Sequence, residues 1–309
     1  MGSATTILVK DLMKRYGKAE TLALKGLNFH VDRGEVFGYL GPNGAGKTTT
    51  IRILAGLSRQ TAGYCQILGE DSTANPALYN HLGVVFEESN LYERLSGLEN
   101  LRFFSALHGV RPARVRALLE EYGLETAAKR PVSTYSKGMK RRLLICRALL
   151  HDPQILIMDE PTSGLDPTSA GVIHAAIDRF RQQGKTIFLS THDMSEADDL
   201  CDRVAFINQG EIAALDRPAT LKRQYGQPAL VIEILPSPQG IEGLQKAIPT
   251  AQITCEDDSV RVRLPLQQPQ LGSQIDEVRS YGEILTIHSQ EASLGQVFRD
   301  VTGTHLHSH

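Results

Sequence analysis

Apolar and polar positions along this chain fall into short runs that predict strands, then a long helical stretch, then strands again. Residues 7–9, 23–31 and 36–40 read as strands, with Asp32-Arg33-Gly34-Glu35 as the turn between the last two. Residues 50–57 carry a helical pattern, and 63–68 and 82–86 return to strand character. From about 96 to 150 apolar residues recur at spacings of three and four, with helices predicted over 98–104, 113–122 and 136–150. A helical insertion of this kind, about 88–150, predicts a semi-independent lobe free to move against the sheet. Two nearly uninterrupted apolar runs follow, Ile155-Leu156-Ile157-Met158 and residues 186–189, as expected of parallel strands covered on both faces. After Tyr225-Gly226-Gln227-Pro228 the texture changes again, to strand (229–235), helix (240–248), strand (252–255), strand (260–264), helix (270–281) and strand (284–288). That βαββαβ order predicts a small α+β ferredoxin-like sandwich. The expected division is therefore residues 5–225 and 226–309.

Composition narrows the class only a little. Of 309 residues, 41% are hydrophobic and 22% charged, as in an ordinary globular protein. A formal charge of -2 provides no overall attraction to nucleic acid or anionic lipid. Cys65, Cys146, Cys201 and Cys255 form no C-x-x-C pair and sit among apolar neighbours, so all four are expected to be buried, reduced thiols of a cytosolic protein. No apolar run reaches the roughly 18 residues that a bilayer span requires, and no basic-then-apolar leader opens the chain. The first six residues formally match a myristoylation pattern, one too short and permissive to carry weight. His305, His307 and His309 read as a solvated tail rather than a metal site.

The chemistry is concentrated in a few stretches. Gly41-Pro42-Asn43-Gly44-Ala45-Gly46-Lys47-Thr48-Thr49 lies between a strand and a helix and fits the phosphate-loop pattern. Its glycines let consecutive N–H groups turn inward, and the helix that follows adds a positive N-terminal end, so a polyphosphate is held largely by main chain. Lys47 is then a point charge for the β- and γ-phosphates and Thr48 a Mg²⁺ ligand. Asp159 and Glu160, at the carboxyl end of a buried strand, are placed to hold Mg²⁺ through its water shell and to deprotonate the attacking water, respectively. His192 follows the next buried strand. Tyr16 either stacks on a purine or covers the edge of the sheet, and the residues alone leave both readings open.

With these pieces in line, the chain resembles the ATPase subunit of an ABC transporter, over roughly residues 5–225. Tyr135-Ser136-Lys137-Gly138-Met139 is similar to the family's signature, and Ser163-Gly164-Leu165-Asp166 and His192 follow in the family's order. The resemblance implies an α/β fold with a RecA-like core, an antiparallel β subdomain and a helical subdomain. It implies ATP and Mg²⁺ as ligands, with Tyr16 on adenine and Gly41, Gly44, Gly46, Lys47, Thr48 and Thr49 on the phosphates. Ser136 and Gly138 would close over the γ-phosphate of the opposite subunit, Asp166 would communicate across that interface, and His192 would contact the γ-phosphate. The implied partners are a second ATPase subunit, identical or paired, and a separate membrane-spanning permease. The implied place is cytoplasmic, peripheral on the inner face of a cell membrane, in a bacterium, with no nucleic acid involved.

The signature variant is similar to those of ABC-2 exporters of drugs, antibiotics, lipids or polysaccharides, and the last eighty or so residues resemble the accessory domain of daunorubicin-type exporter ATPases, including Ala292-Ser293-Leu294-Gly295-Gln296-Val297-Phe298. That domain reads as a dimerisation or regulatory addition, with a drug-sensing pocket as the alternative. Glu87 stands where the family usually carries a Mg²⁺-contacting glutamine; it keeps an oxygen for the metal, adds a charge and loses an amide donor. Lys137, Lys140, Arg141 and Arg142 raise a nucleic-acid patch as an alternative, which the overall charge disfavours. Other readings are an importer ATPase, a regulator that binds ATP with little turnover, and a soluble ABC protein acting on ribosomes or DNA. Absence of an internal repeat or sustained heptad pattern counts against the last.

Overall fold

The computed structural model describes residues 5–17, 21–237, 241–255, 258–266 and 270–303. The first six residues in part, the C-terminal histidines and Gly240 lie outside the described residues. Contacts divide the chain into two units, Met1–Pro218 and Ala219–His309. The helix Pro218–Tyr225 accordingly lies almost wholly in the second unit, and the division precedes the one expected at 225.

Along the first unit run β1 (Thr5–Lys14), β2 (Leu24–Asp32), β3 (Val36–Leu40), α1 (Lys47–Leu54), β4 (Ala62–Ile67), β5 (Glu70–Asp71), β6 (Leu82–Val85), α2 (Gly97–Leu107), α3 (Pro112–Glu121), α4 (Lys137–Ala148), β7 (Ile155–Asp159), α5 (Pro167–Gln182), β8 (Thr186–Thr191), α6 (Met194–Leu200), β9 (Arg203–Asn208) and β10 (Glu211–Asp216). An antiparallel sheet has the order β2-β1-β4-β5, and a second, mainly parallel sheet the order β10-β9-β3-β8-β7-β6. In β3, β7 and β8 every residue is buried, because a parallel strand in mid-sheet has both faces covered. β2 instead alternates buried and exposed positions, as a sheet with one solvated face requires. Phe29 of β2, Phe37 and Tyr39 of β3 and Phe188 of β8 lock together, with Phe37 and Phe188 ring centroids 5.8 Å apart. Burying each such ring contributes about 1.5–3 kcal/mol, so this cluster ties the strand before the phosphate loop to the strand before His192.

The helical lobe begins with a reciprocal cap on α2, in which Ser96 accepts the Glu99 N–H and Glu99 returns to the Ser96 N–H. Buried Tyr135 donates its hydroxyl proton to Ala127 O (2.7 Å), which fixes the entry to α4. The apolar-pattern reading did not assign β9 and β10, the hairpin that completes one edge of the central sheet.

The second unit contains α7 (Pro218–Tyr225), β11 (Ala229–Pro236), α8 (Ile241–Ala247), β12 (Gln252–Cys255), β13 (Val260–Pro265), α9 (Leu271–Ser280), β14 (Gly282–Gln290) and α10 (Leu294–Thr302). Its strands pair antiparallel in the order β12-β13-β11-β14, the ferredoxin-like arrangement the βαββαβ pattern predicts. Val260, Val262 and Leu264 alternate onto the core face, where they meet Ile232, Ile234 and Val278. Cys255 departs from expectation. Cys65, Cys146 and Cys201 are buried, whereas Cys255 is exposed, because β12 is a short edge strand with one neighbour.

Candidate functional site

The loop that joins β3 to α1 is shaped by two close approaches. A Cβ at Gly41 would collide with Ile207 O of β9, and Gly46 holds φ 112° with Leu24 2.7 Å from where its Cβ would be. Only glycine fits either place. The turn delivers Lys47, 6% exposed, beneath the loop, where its ammonium donates to Gly41 O (2.6 Å). Thr49 accepts a hydrogen bond from the Tyr16 hydroxyl at 3.3 Å, and Tyr16 is 44% exposed with Lys14 Nζ 4.9 Å from its ring centroid. Tyr16 thus stands beside the phosphate loop with a face open.

The two acids reach this loop from β7. Strand pairing sets Asp159 opposite Ser190, and Ser190 Oγ donates to Asp159 Oδ1 at 2.5 Å. The other carboxylate oxygen accepts from Thr48 Oγ1 at 3.3 Å. The chain then turns at Glu160 with φ 47°, a left-handed conformation that costs a non-glycine residue on the order of 1 kcal/mol or more. Ser190 O holds the strained turn by accepting the Glu160 N–H at 3.0 Å. The turn brings Glu160 Oε1 to 3.2 Å from Lys47 Nζ and Glu160 Oε2 to 2.7 Å from His192 Nδ1. With Glu160 ionised, that imidazole nitrogen is the donor. Lys47 and Glu160 are each only 6% exposed, and removing one partner of such a buried pair costs about 3–5 kcal/mol. Glu160 Oε1 is near the ammonium without an aligned hydrogen bond, so this buried oxygen retains an unused acceptor site. Gly44, Lys47, Thr48, Thr49, Glu87 and Glu160 line one cleft.

Ser136, Gly138 and Asp166 do not line that cleft; they gather at a second place. Ser136 caps α4 by accepting the Met139 N–H at 3.2 Å. Asp166 caps α5, accepting from Ser169 N (2.9 Å) and Ser169 Oγ (2.7 Å), and these bonds hold its carboxyl below the usual range. A Cβ on Gly138 would stand 2.6 Å from Ser169 Oγ, so the glycine lets the two helix starts meet.

Sequence reasoning missed Ser190, and it left Arg141 without a role. Ser190 leaves only the trace of a polar residue directly after the apolar run Ile187-Phe188-Leu189, and its role needs the β7–β8 pairing to be known. Lys140, Arg141 and Arg142 are not a patch: Lys140 pairs with Glu93 (2.6 Å), Arg142 donates to Tyr122 O (2.8 Å), and Arg141 is buried against Phe86 and Glu87.

Residues 24–163 match the ABC transporter family. The fluoroquinolones export ATP-binding protein of Mycobacterium tuberculosis (strain ATCC 25618 / H37Rv) is 42% identical over 304 residues, covering 97% of this chain and 94% of that protein. This chain is an ATP-binding subunit of the ABC transporter family. As such it is an ATPase whose hydrolysis is coupled to transport. The ABC subunit is also 42% identical over 226 residues to the Nod factor export ATP-binding protein I of Ralstonia nicotianae, spanning 72% of this chain and 70% of that one. A solved ATP-binding subunit of an ABC transporter superposes with a TM-score of 0.66 at 33% identity, over 72% of this chain and 93% of that one. The ATP-binding cassette MJ0796, solved as a dimer in a post-hydrolysis state with ADP and Pi, superposes with a TM-score of 0.64 at 27% identity, over 68% and 98% of the two chains. Among the described residues no helix of this ABC subunit is long and apolar enough to cross a membrane.

Proposed function

We propose that this subunit hydrolyses Mg²⁺-bound ATP at the Lys47 cleft and pairs head to tail with a second cassette. That pair would drive a separate membrane-spanning permease that exports drugs, antibiotics, lipids or polysaccharides. The observation that carries the reading is the continuous contact Lys47–Glu160–His192 beside Thr48–Asp159–Ser190, which joins the phosphate loop to both acids and the switch histidine.

The donor set fits a hard divalent cation. Thr48 and Glu87 line the cleft and Asp159 meets Thr48 Oγ1, so three oxygen donors are available, the chemistry Mg²⁺ selects. When bound, Mg²⁺ neutralises charge that develops on the β- and γ-phosphate oxygens. Lys47 then binds the phosphates, and the main-chain N–H groups at the start of α1 orient them. Ser190 keeps Asp159 turned toward Thr48. Glu160 takes the proton of the attacking water, its free Oε1 acceptor being the receiving atom, while His192 fixes the other oxygen. Tyr16 offers its open ring face to the adenine.

Ser136 and Gly138 lie away from their own cleft, which supports a role at the partner's nucleotide, with Asp166 and Ser169 at the seam. Exposed Tyr92, Leu95, Phe103 and Leu107 on the helical lobe form an apolar surface suited to the permease. The names of the export relatives favour export over import. The C-terminal unit carries a regulatory or dimerising role in this reading.

ATP hydrolysis measured over a protein concentration series, with Glu160→Gln followed for ATP-dependent dimerisation, tests the whole reading. Turnover that rises faster than linearly, and a variant that dimerises only with ATP, are the expected results. Binding without either would replace the motor with an ATP-binding regulator.

A further inference from the structure

Arg141 has no role in the reading above, yet it is among the most buried charges in the chain, at 3% exposure. It stands on α4, five positions beyond Ser136, which caps the same helix; over that distance a helix rises only about 7.5 Å and moves as one body. Its guanidinium crosses to the segment after β6, where Nη1 donates to Phe86 O at 2.7 Å and Nη2 to Glu87 O at 3.2 Å. Glu87 is itself part of the cleft lining. We propose that Arg141 is a positioning residue that ties the signature helix to Glu87, so that the placement of Ser136 and the placement of the Glu87 carboxylate in the chain's own cleft are set together.

Three features support the link. Two carbonyls on consecutive residues are spanned by the two ends of one planar fork, a geometry that a lysine ammonium does not reproduce. Burial lowers the Arg141 pKa, and the carboxylates of Glu87, Asp159 and Glu160 oppose that shift, so the cation also stands within the field of the acid cluster. Finally, Glu87 adds a negative charge to that cluster, and Arg141 is the buried cation that faces it from α4. In a head-to-tail pair, a change at one nucleotide would reach the other through this contact.

The inference rests on the proposed Mg²⁺–ATP site, and its test separates the two. Binding of a fluorescent ATP analogue to the full chain is measured with Mg²⁺ and with chelator, for the parent, Arg141→Lys, Glu87→Gln and the double variant, with amide hydrogen exchange of residues 86–88 followed in parallel. Expected for Arg141→Lys are unchanged metal-free binding, Mg²⁺-dependent binding weakened about tenfold, and faster exchange at 86–88. In the Glu87→Gln background the same substitution should have a much smaller effect on Mg²⁺-dependent binding. Additive effects of the two substitutions, or unaltered exchange at 86–88 in Arg141→Lys, would overturn the link. A parent chain whose nucleotide affinity ignores Mg²⁺ would remove the metal reading alone, and the exchange data would then decide Arg141.

Discussion

The two units differ most in what they bury. Glu35, Lys47, Arg141, Asp159, Glu160 and Glu196 are all buried in the first unit, whereas among the described residues of the second no charged side chain is. Its core, which includes Ile232, Ile234, Val262, Leu264 and Val278, is apolar. An uncompensated buried charge is expensive, so a chain that buries several must hold them in a network. The first unit does so by Lys47–Glu160, Arg203–Glu35 and the Thr162–Glu196–His174 contacts. Such a network is sensitive to any ligand that changes the charge, and a purely apolar core is not. The charge-sensitive groups therefore lie in the first unit, while apolar packing holds the second.

The largest expected effect breaks this contrast at its centre. Glu160→Gln should lower the rate of ATP hydrolysis by roughly 10²–10⁴, read as phosphate release, without moving the unfolding of the second unit. Full activity in that variant would move catalysis away from the buried network. Next in size, Phe298→Ala removes a fully buried ring from the second unit and should cost about 3–5 kcal/mol in denaturant unfolding of that unit, with hydrolysis unchanged. A parallel loss of hydrolysis would show that the apolar unit also supports the cassette.

A smaller effect sharpens the contrast by pH. Burial pushes the Asp193 carboxyl up, but hydrogen bonds from Ser195 and the Glu196 N–H outweigh it and hold the pKa below the usual value. A carboxylate depressed in this way stabilises the fold above its unfolded pKa of about 3.9, and the contribution is lost as pH falls through the lower folded value. Asp193→Ala should then cost about 1 kcal/mol near neutral pH and progressively less in acid, measured as urea midpoints. An equal cost at both pH values would mean that the cap, and not the charge, is what matters. The smallest effect is a labelling pattern: in the folded protein Cys255 should react with a thiol reagent while Cys65, Cys146 and Cys201 react only on unfolding.

Much of the first unit was legible because its strands are extreme. β3, β7 and β8 each carry an apolar run buried on both faces, and a glycine-rich loop followed by Lys47-Thr48 after such a strand is the pattern expected of a phosphate site. The alternation in β13 and the order of elements around it gave the second unit's topology in the same way. The β9–β10 hairpin escaped, although Asn208-Gln209-Gly210 marks its turn, because its short apolar run follows directly on the acidic helix α6 without a clear break. Cys255 was misjudged because apolar neighbours in sequence do not reveal that a strand will lie at an edge.

By itself the sequence determined where the glycine-rich loop and the acids lie along the chain and which runs form strands or helices, since these follow from local backbone requirements and from periodicity. The tertiary structure alone decided which groups act on one another. Thr48 meets Asp159 across 111 positions, Ser190 meets Asp159 through the β7–β8 register, and Arg141 meets Glu87 across the helical lobe. Periodicity reports which face of an element is buried, while strand order and register decide what that face is buried against.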